Sequence, residues 1–244
     1  MKQKYKTIAL LMCAVAIVTM CSCTKDNPNN GGSGGSHSDN GHAYVDLGLP
    51  SGTLWATCNV GATHPEDYGS YFAWGETAPK ETYSWANYRW CSGNIEPDGN
   101  CYEMTKYCDD SYYGHNGFHD NLIVLKPSDD AATANWGNEW RTPTPEEWDE
   151  LITYTIVLNS FQNNVYGLTF TSANGNSIFF PHAGCKKIDE LHLVGVSGYY
   201  WANTLNSSSN RAECMQTYLG SKGYWTYGHY RNEGCTVRPV RSSH

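Results

Sequence analysis

Apolar positions fall into three regimes along the chain. Residues 8–20 are apolar throughout except at Thr19, and Lys2, Lys4 and Lys6 precede them. The run is short of the ~20 residues that a membrane-spanning helix needs. A basic start, a short apolar core and small residues after it predict an export signal over residues 1–22, with an uncleaved anchor as the alternative. The next stretch, TKDNPNNGGSGGSHSDNG, has almost nothing to bury, so residues 23–41 are expected to form a flexible tether. From residue 42 to 244 apolar residues return in short groups, most with period two and one with period 3.6.

The period-two groups predict strands. Leu47 and Leu49 precede a Pro50-Ser51-Gly52 turn, after which Leu54, Ala56 and Cys58 alternate with Trp55, Thr57 and Asn59. Residues 71–74 form another short strand. Residues 168–171 and 177–181 flank Ala173-Asn174-Gly175-Asn176, a hairpin signal of the Asn-Gly kind. Further strands are expected at 199–204, 212–219 and 236–241. In the last, Pro239 lacks an N–H, which places the strand at an edge or costs it pairing. Residues 77–121 show no sustained period and predict long loops.

The single helical pattern has a defined start. Thr144 is suited to cap it, Pro145 occupies the first helical position, and Glu147 completes a capping box. Trp148, Leu151 and Ile152 then share one face. The helix is expected to end between Ile156 and Asn159. The chain therefore reads as one α+β domain of small antiparallel sheets, few helices and long loops.

Composition narrows the function. The net charge is −8, and removal of the signal takes away three lysines and no acid. An acidic chain without a basic stripe is not expected to bind nucleic acid. Cys13, Cys21 and Cys23 lie at the end of the apolar core. Cys23, preceded by the small Ser22, is the expected site of lipid attachment and Cys21, after Met20, the runner-up; Met20 stands where such signals usually place leucine, a departure that bears on the exact cysteine more than on the class. An ordinary cleaved signal is the alternative. The layout predicts a cell-envelope protein anchored in the outer membrane by its lipid and exposed at the surface. Seven cysteines remain beyond the tether, and an oxidising compartment favours pairing. Being odd in number, they leave at least one without an internal partner.

Chemical motifs are sparse. Cys214 and Cys235 stand twenty-one positions apart next to predicted strands, which suits a static disulfide. Cys101, Cys108, His115 and His119 offer soft ligands, but their spacing matches no zinc module, and a disulfide with surface histidines is the simpler reading. Asp129/Asp130 and Glu146/Glu147 read as loop-solvating and helix-capping groups. No catalytic residue, metal ligand or cofactor is assigned; structural calcium at Glu96-Pro97-Asp98 is the alternative weighed against a plain turn. The richest stretch lies near the C-terminus, where Tyr, Trp, Ser, Gly and Asn concentrate as they do in recognition loops. Tyr224, Trp225, Tyr227, His229, Tyr230 and Arg231, with Trp201 and Asn203 near them, are the candidate ligand-binding residues. The alternative is that half of these rings fill the core.

Several segments together resemble a known family. YVDLGLPSGTLWATCNVGA, YGSYFAWGE, DDAATANWGNEWRTPTPEEWDELI, GLTFTSANGNSIFFPHAG, GYYWANT and CTVRPVR are similar, in this order, to the Fibrobacter succinogenes major paralogous domain. The resemblance runs from Tyr44 to Arg241. It implies a C-type-lectin-like fold whose first and last strands pair, with the C-terminal loops as its binding face. It also implies that Cys91 pairs with Cys108, leaving Cys101 as an extra. WRTPTPEEWDEL and VRPVR are similar to segments of the formylglycine-generating enzymes, but the closely spaced cysteine pair of those enzymes is absent. The expectation is a non-catalytic domain that binds a surface glycan or protein. A structural or adhesive envelope component without a discrete ligand is the alternative, and an enzyme comes third.

Overall fold

The computed structural model describes residues 37–93, 101–220, 224–225 and 228–243, the pair 224–225 by backbone alone. Three strands come first: β1 (His37–Asp39), β2 (His42–Asp46) and β3 (Leu54–Ala56). Loops with short 3-10 turns then lead to two helices, α1 (Ala131–Trp136) and α2 (Pro145–Tyr154). A run of strands follows: β4 (Thr155–Gln162), β5 (Val165–Ser172), β6 (Ser177–Pro181), β7 (Cys185–Lys187) and β8 (Glu190–His192). The last are β9 (Ser197–Leu205), β10 (Arg211–Tyr218), β11 (Tyr224–Trp225), β12 (His229–Tyr230) and β13 (Val240–Arg241).

The strands form small sheets paired antiparallel throughout. One has the order β1-β2-β3-β13, so the early hairpin holds the last strand, with Val240 opposite Trp55. A second has the order β4-β5-β6, and β7 pairs with β8 alone. In the fourth, β10 pairs with β9 along its length and with β11 and β12 at separate points. With two helices among the described residues, this is an α+β fold of few helices.

The period-two rule explains how one strand organises the core. Side chains alternate across a strand, and β9 is buried on both faces. Tyr199, Trp201 and Leu205 point into a cluster with Phe72, Trp74, Cys214 and Cys235. Tyr200 and Ala202 point into a second, with Trp55, Trp148, Leu151 and Phe180. A third cluster, around Tyr83, Trp85, Tyr88 and Met104, packs beneath the loops that precede α1.

Three expectations are corrected. An ordered strand, β1, begins at His37, inside the stretch expected to be tether; Asp39 pairs with Arg241 and the Asn40 side chain donates to the Trp136 carbonyl. Helix α2 stops at Tyr154, where the Thr155 hydroxyl bonds back to the Leu151 carbonyl at 2.6 Å and the β-branched run that follows becomes β4. The 71–74 segment contributes a single bridge, Phe72 to Cys235, rather than a strand. The hairpin expected at Ala173–Asn176 is present between β5 and β6; in its turn Gly175 is left-handed (φ 87°) and the Asn174 amide donates to the Asp46 carbonyl.

Candidate functional site

Of the described residues expected at a C-terminal binding face, Trp201, Asn203 and Arg231 are buried. Trp201 is 1 % exposed, and its indole N–H donates to the Phe72 carbonyl at 2.7 Å. Asn203 is buried, with its backbone joined to Pro143 and Leu125. Arg231 has no exposed surface. Its guanidinium donates to Tyr88 Oη (2.8 Å) and to the carbonyls of Ser209 (2.6 Å), Tyr107 (2.9 Å) and Lys106 (3.0 Å). Five donors in a rigid fork suit such a ring of carbonyls, so Arg231 clamps loops together and is closed to a ligand. His229 and Tyr230 are half-buried, with Tyr230 beneath the Arg211 guanidinium at 3.9 Å. Tyr224 and Trp225 lie on β11, opposite Gln216 and Met215. Tyr227 and the Glu96-Pro97-Asp98 turn lie outside the described residues.

The cysteines also pair differently. Cys91 is bonded to Cys101, and the Cys108 thiol donates instead to the Asp110 carbonyl at 3.1 Å. A bridge between Cys91 and Met104 runs the two segments antiparallel and brings Cys101 across from Cys91. Cys214 and Cys235 are neighbours, as expected, but carry thiols in contact rather than a disulfide. Burial, then the adjacent Cys214, pushes the Cys235 thiol well up. Burial likewise raises Cys185 to about 12.

The acid pairs are more structural than expected. Asp129 accepts from Lys106 Nζ (2.5 Å) and Tyr107 Oη (2.6 Å). Asp130 caps α1 through the N–H groups of Ala132 and Thr133 and also holds Thr142. Both are buried, so they brace the loops instead of solvating them. Glu147 makes the capping box as expected, and Arg141 grips it with two bonds of 2.6 Å. Although burial alone would raise it, that guanidinium holds the Glu147 carboxyl below its ordinary range.

An aromatic group that the sequence reading passed over lies on the surface. Tyr102, Tyr112 and Tyr113 form a triad with ring centroids 5.1–5.6 Å apart. Tyr112 is 68 % exposed and the other two are half-buried. Their frame is rigid: Asp110 caps the Ser111–Tyr113 turn, Met104 N–H bonds to the Tyr113 carbonyl, and the Cys91–Cys101 disulfide adjoins Tyr102. The local sequence DDSYYG carries a turn and ring signal, but Tyr102 reaches it only through tertiary pairing. Two cavities among the described residues enclose about 10 and 20 Å³, room for roughly one water each. One group of metal-ligating atoms is present among the described residues, at Cys185, His229 and Glu233.

The fold and these features define an α+β protein of few helices with a surface cluster of aromatic rings. Comparison of the chain with protein-family models, with curated proteins and with solved structures returned no match.

Proposed function

We propose that the chain is exported, carries its lipid on Cys23 in the outer membrane, and displays a non-catalytic domain that binds a surface ligand. The observation that carries this reading is the exposed triad of Tyr102, Tyr112 and Tyr113, set on a braced turn while the best-formed cavities hold about one water. Rigid tyrosine faces supply contact area at little entropic cost. Their flat, amphipathic rings suit the apolar faces of sugars, so a glycan is the ligand favoured and a protein the second choice. An oxidase is disfavoured because the thiols of Cys214 and Cys235 are fully buried and Cys235 is held protonated, whereas the reactive form is an accessible thiolate.

A glycan array probed with the secreted chain tests the reading. Tyr112→Ala is expected to weaken binding about tenfold with an unchanged melting temperature, since a mostly exposed ring adds little to the core. Binding that is indifferent to Tyr112→Ala places the ligand elsewhere. Absence of any glycan bound, with a protein partner captured through the same tyrosines, leaves the surface and changes the ligand.

A further inference from the structure

Cys185 opens β7, while His229 lies on β12 and Glu233 in the turn after it. Two hydrogen bonds join these segments: Lys186 N–H to the Gly234 carbonyl (2.7 Å) and Gly234 N–H to the Lys186 carbonyl (2.8 Å). That pairing sets Cys185 beside Glu233. The His229 ring packs on Tyr199 at 4.9 Å and near Trp201 at 5.8 Å, which fixes its direction. As a result one atom each from Cys185, His229 and Glu233 lie within 4.8 Å of one another.

His229 Nε2 and Glu233 Oε2 are sealed from solvent and face each other at 2.5 Å in an ion-pair contact, with no third group bonded to either atom. The other oxygen of Glu233 is held by Lys187 Nζ at 3.1 Å, which turns Oε2 inward. Glu233 is 7 % exposed and Cys185 is 1 % exposed.

We propose that Cys185, His229 and Glu233 are three ligands of a zinc(II) site whose fourth position is open to water or a small ligand. A thiolate, an imidazole and a carboxylate form a mixed donor set that suits zinc, while calcium and magnesium take oxygen ligands. Zinc bonds of about 2.3 Å to sulfur and about 2.0 Å to nitrogen or oxygen require ligand atoms roughly 3.2–3.6 Å apart in a tetrahedron. Side-chain shifts of about an ångström reach that spacing from the one observed. Binding expels the Cys185 proton to solvent, and thiolate and carboxylate together neutralise the ion. The site is separate from the tyrosine triad and does not depend on it.

The test uses the full chain, reduced and stripped of metal, titrated with Zn²⁺ against a chromophoric chelator and separately with Co²⁺. One equivalent of zinc is expected, and cobalt is expected to give a thiolate charge-transfer band that disappears in Cys185→Ser. Glu233→Gln and His229→Gln are each expected to weaken zinc binding at least tenfold, and Cys214→Ala to leave it unchanged. Because replacing a buried cysteine can unfold the chain, the near-isosteric Glu233→Gln decides the matter: it should melt normally without metal and lose the zinc-induced rise in melting temperature. The proposal is overturned if the wild type binds zinc no better than a chain carrying Cys185→Ser, His229→Gln and Glu233→Gln together. It is equally overturned if Glu233→Gln keeps the full zinc-induced rise, or if the loss follows Cys214→Ala instead.

Discussion

Arg238 is fully buried, and four of its bonds run to neutral oxygens. Its Nε donates to Asn59 Oδ1 at 2.8 Å, and its two Nη groups donate to the carbonyls of Ala56 (3.1 Å), Thr57 (2.8 Å) and Phe179 (3.0 Å). One side chain thus joins β3 to β6. Arg238→Met removes the donors and strands the acceptors, and we expect it to cost about 3–5 kcal/mol in urea unfolding. Arg238→Lys keeps a charge without the fork and should fall between. His182 is also fully buried, with Nδ1 2.8 Å from Thr217 Oγ1, and burial pushes its pKa down from 6.5 to about 4. Only the unfolded chain takes up this proton between those values. Stability is therefore complete above about pH 6.5 and falls as the pH drops toward 4, by roughly 1–3 kcal/mol. Denaturant curves at neutral and mildly acid pH should show a smaller acid loss in His182→Gln than in the wild type. Equal losses would assign the acid sensitivity to other groups.

The start of α2 does more than begin a helix. Glu147 accepts from the Thr144 N–H (2.9 Å), from both Nη groups of Arg141 and from Thr53 Oγ1 (2.8 Å), so the cap is also the joint between α2 and the segment leading into β3. Thr144→Ala should cost about 1 kcal/mol, as a lost cap does. Glu147→Gln should cost about 2–3 kcal/mol, because it also strips Arg141 of its counter-charge. Thermal melts of the two variants separate the roles, and equal shifts would confine Glu147 to capping. The cap was legible in the sequence because its residues lie within one turn. The Thr53 contact was not, since it spans 94 positions. Strands β5, β6, β9 and β10, whose apolar residues cluster within a few positions, were legible for the same local reason. By contrast β1 sits in a Gly-, Ser- and Asn-rich stretch, and α1, at six residues, is too short to show a period. Trp201 misled because tryptophan serves recognition surfaces and cores alike. The Cys185, His229 and Glu233 group left no local signal, as it exists only once Lys186 pairs with Gly234.

On the scale of the whole molecule, the described chain begins and ends in one sheet: β1 lies at one edge and β13 at the other, with the β2–β3 hairpin between them. Both ends are further tied by the Arg241–Asp39 ion pair. Fourteen positions separate Cys23 from His37, where β1 starts, so any anchor on Cys23 acts through that segment on the edge of this sheet. The tyrosine triad is built from a different part of the chain, between Cys101 and Gly114, and shares no strand with that sheet. Anchoring and ligand binding should therefore be separable. Among the described residues no helix is long and apolar enough to cross a membrane. The attachment proposed through Cys23 rests on acyl chains, each buried methylene adding about 0.8 kcal/mol, with more than one chain needed to hold a protein at the bilayer. Cys23→Ser is expected to abolish incorporation of radiolabelled palmitate and to move the protein from the membrane pellet to the soluble fraction of the envelope, while glycan binding by the released protein stays as it was. Cys21→Ser should leave both label and location unchanged. Label that survives Cys23→Ser but is lost in Cys21→Ser would shift the attachment by two residues. A wild-type chain that takes up no label and is found in the soluble fraction would remove the anchor altogether, leaving the secreted domain to be judged on its surface alone.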